Sequence, residues 1–307
     1  MFQAFPLGPF LVWTRLVFLL LGIWMSLEFF LRLAQASHLS LQHFRDYAWR
    51  YLFVFLLAGR FFAIVSEYRV YLKDLLRVFV FWDGGFSFLG AAIGVAAVLF
   101  WATRTHRATF LQWLDVIFPA VTFGLAFSWL GAFFAGHAYG KPTDMFWGVT
   151  YDAISVRYTV PIHPVQLYYA FFYFFLTFLL LVIRKNSGRA GTETLVGIFF
   201  ASIFNFLLEY FRGDFSIPVF ATKADFVVLI TLFISLGIFA VIELRLTRAV
   251  MLATEAVFLF VFGGYLFARP SLPFPTFELR FSQFLSVLAL FATIVYVVVH
   301  RRKYPHL

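Results

Sequence analysis

The chain has 307 residues, 63% of them hydrophobic and 13% charged, where ordinary globular domains run roughly 45–50% and about 25%. Phe alone fills 47 positions and Cys none, so the solvent must be lipid, and disulfide scaffolds, thiolate catalysis and Cys-ligated metals are excluded. The net charge of +9 sits mostly in short loops between apolar runs, which is an orientation signal of a bilayer protein and not a nucleic-acid surface.

Apolar runs of about 20 residues predict nine spans, near 10–31, 51–68, 85–102, 112–136, 165–183, 194–211, 225–243, 249–268 and 281–299. Alternating ten-residue strands of the barrel type are not visible, so the expected fold class is all-α, a polytopic integral-membrane helical bundle. The N-terminal MFQAFPLGPF lacks the basic n-region and small-residue cleavage site of a signal peptide, so the first span is expected to persist. One set of alternate loops collects Arg32, Arg45, Arg50, Arg104, Arg107, Arg184, Lys185, Arg189, Arg245, Arg248, Arg301, Arg302 and Lys303. The other set holds fewer: Arg69, Lys73, Arg77, Lys141, Arg157, Arg212, Lys223, Arg269 and Arg280. The positive-inside rule then puts the N-terminus and the 139–164 loop outside and the C-terminus in the cytoplasm.

Ionisable groups inside hydrocarbon are functional candidates by default. In chain order, Arg15, Glu28 and Glu243 lie near span ends, where they can snorkel. Arg60 and Glu67 are seven apart and share a helix face. The stretch Trp82-Asp83-Gly84-Gly85 is a turn signal at a span entrance, and Gly90 and Gly94 form a small-xxx-small face for close helix approach. Asp115 stands just inside a span start and suits a helix cap. His137 emerges from a Gly-rich span end beside Tyr139 and Lys141, a setting for binding an anionic headgroup, for moving a proton, or for an interfacial His satisfied by water. His163 precedes Pro164, which suits a first helical turn, so it lies where free N–H groups favour an anion; Gln166 and Tyr168 follow it. Asn205, Glu209 and Arg212 fall at i, i+4 and i+7 on one face, and three polar groups in one intramembrane stripe should face a bundle interior or a wet cavity.

Taken together, and in order from about residue 6 to 240, these segments resemble the prolipoprotein diacylglyceryl transferase family of bacterial inner-membrane enzymes. The anchors are Gly59-Arg60, FWDGGFSFLGAAIG, Asp115 with Pro119, GAFFAGHAYGKPTDMFWGV, HPVQLY at 163–168 and EYFRGD at 209–214. The resemblance implies transfer of the diacylglyceryl group of phosphatidylglycerol to the lipobox cysteine thiol of a preprolipoprotein. It implies no cofactor, no metal and no nucleic acid; the partners are phosphatidylglycerol, the signal-peptide substrate and membrane lipids, in a multi-pass protein of the bacterial inner membrane. Such a reaction must favour the substrate thiolate, and cations or donors must stabilise the departing glycerol phosphate. His137, His163 and Glu209 are the catalytic candidates implied, with Arg60, Arg212, Asn205, Asp83, Gln166, Tyr168 and Tyr139 as substrate- and phosphate-side residues. Residues 1–245 form the family-like domain, and 246–307 an additional hairpin and basic tail that the resemblance does not reach.

Several family positions are replaced. Leu89 stands where the family carries a polar residue, Trp129 at its phosphate-handling Arg, and Ala132 at its Asn or Cys. His137 and Tyr169 each stand at a Glu, and Asn205 at a second Arg. An indole or a carboxamide does not reproduce a planar bidentate donor, and losing one such stabiliser commonly costs on the order of a hundredfold in rate. Three readings therefore stand together: a divergent transferase with His137 or His163 as base and Arg60 plus Arg212 as phosphate-side cations; a catalytically silent relative that binds phospholipid or lipoprotein; and a transporter-like protein. Ordered motifs and the lack of an internal repeat weigh against the third, and the retained polar stripe favours the first.

Overall fold

A computed structural model describes residues 4–7, 10–66, 71, 74–79, 86–104, 107–152, 156–186, 189–214, 219–221 and 279–303, with isolated positions 249, 253, 256, 257, 260, 263, 264 and 267. Its helices are α1 (Thr14–Ala36), α2 (Gln42–Ser66), α3 (Phe88–Ala102), α4 (Arg107–Ala135), α5 (Val165–Asn186), α6 (Thr192–Leu208) and α7 (Phe281–Lys303). Single 3-10 turns cover Leu75–Phe79 and Glu209–Phe211. Among the described residues, 5 helices are long and apolar enough to cross a bilayer: α1, α2 from Gln42 to Ile64, α4 from Thr109, α5, and α6 continued to Phe211. The chain is a helical, multi-pass membrane protein. The spans expected near 225–243 and, for most of its length, 249–268 lie outside the described residues, as do Glu67, Asp83 and Glu243.

Local chemistry sets the helix ends. α1 stops where His38 takes a left-handed φ of 53° and Leu39 N–H returns to Ala34 O at 3.0 Å. α3 starts at Ser87, whose hydroxyl accepts the Gly90 N–H at 3.2 Å, a side-chain N-cap. α4 ends at Gly136, with φ 70°, the conformation that glycine adopts without a Cβ penalty. α2 begins at Gln42 and not near 51, because its helix runs on through the irregular Tyr47 (φ −114°, ψ 16°) into the polar residues that had marked a loop. Two short antiparallel pairs, β1 (Ala4–Leu7) with β2 (Phe10–Trp13) and β3 (Val219–Ala221) with β4 (Leu279–Arg280), add strand that the sequence pattern did not signal.

The chain divides into two compact units. In the unit of residues 28–118 and 188–191, α3 lies against α2 through Gly90 and Gly94: a Cβ at Gly94 would crowd the Ala58 methyl, and one at Gly90 the Phe62 ring base. This is the close approach the small-residue spacing predicts. Phe44 and Trp113 meet edge to face at 4.6 Å. Asp115 does not cap its own helix; it is buried well inside α4 and its carboxylate accepts the Gly191 N–H. In the unit of residues 1–27, 119–187 and 192–307, a Cβ at Gly22 would lie 2.8 Å from the Gly124 carbonyl. Ser26 Oγ donates to Ala120 O at 2.7 Å, and Thr122 and Thr177 share a buried hydroxyl contact of 2.9 Å between α4 and α5. There α6 packs against both α5 and α7.

Candidate active site

Beyond Gly136 the chain leaves α4 and returns at Val165, and a small patch of backbone pairing is built across that connection. Lys141 N–H donates to Phe211 O at 2.8 Å, Gly213 N–H to Tyr139 O at 2.9 Å, and His163 N–H to Lys141 O at 2.9 Å. Residues 139–141 therefore lie between the His163 segment and the Arg212 segment, with isolated bridges Gly140–Arg212 and Pro142–Ile162. The spacing requires glycine: a Cβ on Gly213 would stand 2.5 Å from Gly140 O, and one on Gly140 would collide with His163 O. Gln166, fully buried, extends the connection by donating from Nε2 to His137 O at 2.7 Å. Three motifs distant in sequence are thus held side by side by main-chain bonds.

On this frame His163 Nδ1 lies 3.2 Å from Tyr168 Oη, which accepts the Trp147 indole N–H at 2.7 Å. With Nδ1 engaged, Nε2 is the ring nitrogen suited to face a substrate. Burial lowers the His163 pKa below its ordinary value. His137 is more exposed; its pKa is also lowered, by what burial it has and by the charge of Arg15. Both rings are therefore neutral at pH 7. Tyr139 is buried, its ring edge-on to Tyr158 at 5.9 Å.

The densest polar cluster centres on Glu209, whose side chain is 1% exposed. Its Oε1 accepts from Arg212 Nη1 at 3.1 Å and from Arg280 Nη1 at 3.0 Å, and its Oε2 accepts the Tyr169 hydroxyl at 3.1 Å. Arg212 holds Asp214 with two bonds, Nε to Oδ1 at 3.1 Å and Nη2 to Oδ2 at 2.6 Å. Arg280 also reaches Asp214 Oδ1 at 3.3 Å and Arg212 O at 3.0 Å. Burial works against the Arg212 charge, but Glu209 and Asp214 outweigh it and raise its pKa. The Tyr169 hydroxyl is shared with Asn205 Oδ1 at 3.1 Å, and Asn205 Nδ2 donates to Ser286 Oγ at 2.7 Å. Trp129 stacks on Tyr169 with ring centroids 4.1 Å apart and planes 10° apart. The replaced positions Trp129, Tyr169 and Asn205 thus form one contiguous patch.

Of the sequence-predicted residues, His137, Tyr139, His163, Gln166, Tyr168, Asn205, Glu209 and Arg212 are joined through these bonds and the backbone patch. Arg60 belongs to the other unit, where it is buried, donates to Arg77 O at 2.5 Å and Val78 O at 3.4 Å, and stands 5.2 Å over the Tyr71 ring. It thereby satisfies carbonyls at the end of the Leu75–Phe79 turn. Asp83 and the Leu89 side chain are outside the described residues. Arg280, Asp214 and Ser286 were not predicted, and Arg15 was set aside as a snorkelling residue. The signal for α7 was present: Gln283, Ser286 and Thr293 recur at helical spacing in an apolar run, and all three are buried. Among the described residues, no group of three or more His, Asp or Glu is arranged to hold a metal ion.

Fold and site together define a polytopic membrane protein with a buried acid–guanidinium cluster at one end of its apolar helices. The profile of the prolipoprotein diacylglyceryl transferase family matches residues 3–299, and the chain belongs to that family. A phosphatidylglycerol–prolipoprotein diacylglyceryl transferase of Polynucleobacter necessarius is 41% identical over 98 residues, 32% of this chain and 36% of that protein. Proteins of the same name from Pseudoalteromonas atlantica and Photobacterium profundum are each 34% identical, over 53% and 51% of this chain and 58% of their own length. The chain spans about half the length of the curated relatives it matches. The family match runs on into the C-terminal region, to residue 299.

Proposed function

We propose that this protein transfers the diacylglyceryl group of phosphatidylglycerol to the lipobox cysteine of preprolipoproteins, as a multi-pass enzyme of the bacterial inner membrane with nine spans, its N-terminus outside. The observation that carries the reading is the convergence of the 137–141, 163–168 and 209–214 segments on one buried Glu209–Arg212 centre, in a chain whose family bears that name. In the reaction the substrate sulfur attacks the glyceryl carbon that bears the phosphate ester. The carbon–oxygen bond breaks, glycerol phosphate leaves with its electron pair, and the thiol proton passes to a base.

Two neutral imidazoles, His163 and His137, are suited to take that proton. The Arg212 guanidinium is suited to the phosphate oxygens once its Nη1 edge turns from Glu209. Gln166, Tyr168 and Tyr139 shape the frame that holds these groups. A second reading, a relative that binds phospholipid or lipoprotein without catalysis, has its own support: Trp129 and Tyr169 close one side of the stripe with a stacked aromatic pair. Purified protein incubated with phosphatidylglycerol and a lipobox peptide separates the two. The transferase reading expects the added diacylglyceryl mass on the peptide, and no product under conditions where an authentic enzyme works sinks it.

A further inference from the structure

In the Glu209 cluster, Arg212 and Arg280 each reach both Glu209 and Asp214. One carboxylate oxygen, Glu209 Oε1, accepts from two guanidiniums, at 3.1 Å from Arg212 and 3.0 Å from Arg280. The two arginines are held differently. Arg212 grips Asp214 along its Nε–Nη2 edge, while its Nη1 alone faces Glu209, at 3.1 and 3.4 Å from the two carboxylate oxygens. That corner is the exchangeable one. Arg280 is anchored on every side: its backbone pairs with Val219, its N–H donates to Gln283 Oε1 at 3.1 Å, and its Nη2 donates to Arg212 O at 3.0 Å. Both guanidiniums are mostly buried, with side-chain exposures of 13% and 16%.

We propose that Arg280 is a positioning residue of this site: it holds the charge of Glu209, so that Arg212 can turn its Nη1 corner to an incoming phosphodiester without leaving a buried carboxylate unpaired. The inference rests on the phosphatidylglycerol reading above. Physically, an uncompensated buried carboxylate is what makes breaking such a pair expensive. With Arg280 in place, two acids remain matched by two guanidiniums, and the phosphate supplies the acceptor that Arg212 gives up. Without it, Arg212 is the guanidinium left on Glu209 among the described residues, and turning its Nη1 corner to a phosphate strands that buried carboxylate. Asn205, beside Glu209 on the same face, cannot take this role, because its amide is committed to Ser286 and its Oδ1 to Tyr169.

The test uses the full chain in neutral detergent and reads binding of dihexanoyl phosphatidylglycerol by titration calorimetry, with dihexanoyl phosphatidylcholine as the control lipid. Transfer to a lipobox peptide is assayed in parallel. R280Q is expected to weaken phosphatidylglycerol binding about tenfold or more, a change of about 1.4 kcal/mol per factor of ten, with no change for phosphatidylcholine. R280K, which keeps the charge and loses the fork, falls between R280Q and wild type. The double variant R280Q/E209Q removes the stranded carboxylate and is expected to bind phosphatidylglycerol within about threefold of wild type; a purely structural Arg280 would not be rescued this way. Wild-type-like binding by R280Q, or no recovery in the double variant while both elute as monodisperse species, overturns the inference. Wild type that binds phosphatidylglycerol and transfers nothing overturns the transferase reading, while the variants' affinities still decide the role of Arg280. Wild type that binds no phosphatidylglycerol overturns both.

Discussion

Replacing Glu209 by Gln tests how far burial decides the worth of an ion pair in this protein. Glu209 is 2% exposed and accepts from two guanidiniums and a tyrosine. Glutamine keeps the shape and one acceptor oxygen but removes the charge, leaving Arg212 and Arg280 with Asp214 as their acid among the described residues. Removing one partner of a buried pair costs about 3–5 kcal/mol. At roughly 2–4 °C per kcal/mol, the melting midpoint should fall on the order of 10 °C. The Glu28–Arg32 pair is the internal control. Its distance of 2.8 Å is shorter than either contact to Glu209, yet its side chains are 46% and 74% exposed. A pair near a span end, free to snorkel to the interface, contributes about 0–1 kcal/mol, so E28Q should move the midpoint by no more than about 4 °C. Intrinsic-fluorescence melts of both variants in one detergent give the comparison. Equal shifts for E209Q and E28Q would refute the reasoning, because contact distance and not burial would then set the energy.

Three further outcomes are expected. G140A pushes a methyl into the His163 carbonyl and, at 2.8 Å, its Cβ; a displacement approaching 1 Å costs on the order of a hundredfold in turnover, and a G140A enzyme with wild-type kcat would show that the backbone patch does not position His163. A base whose pKa burial has lowered is neutral above that pKa and lost below it. The acid limb of transfer at saturating peptide should therefore be centred below pH 6.5, and H163N should remove it; a limb centred above 6.5, or one that persists in both H163N and H137N, rules out the histidine base. G94A inserts a methyl between α2 and α3 where Ala58 already stands, and should lower stability by about 1–3 kcal/mol, read as a thermal shift with no loss of phosphatidylglycerol affinity.

Much of the architecture was readable because a bilayer leaves the chain few choices. Apolar runs near 85–102 and 165–183 became α3 and α5 with ends shifted by a few residues, since hydrocarbon forces backbone groups to pair within the segment. The ends moved where polar residues stayed helical past the apolar run, as between Gln42 and Arg50 of α2. Gly90 and Gly94 announced close packing because only a missing side chain permits it. Asp115 was misread: the residues around it suited a cap, but its partner is the Gly191 N–H, far along the chain.

Within the site, the i, i+4 spacing of Asn205 and Glu209 was enough to bring both to the Tyr169 hydroxyl, whereas Arg212 lies past the helix end in extended backbone, so its contact with Glu209 comes from the Glu209–Phe211 turn and not from the i+7 spacing. The other partners were not set locally. That Arg280 shares Glu209 with Arg212, that Ser286 receives the Asn205 amide, and that Trp129 lies flat on Tyr169 depend on which helix packs beside which. A sequence records which side chains are polar, apolar or small, and from that the membrane, the helices and the family-like motifs follow. Charge balance in a buried cluster is a property of neighbours brought together from distant segments. Low dielectric makes each unpaired group there too expensive to leave alone, so tertiary packing decided how the site's acids and arginines are paired.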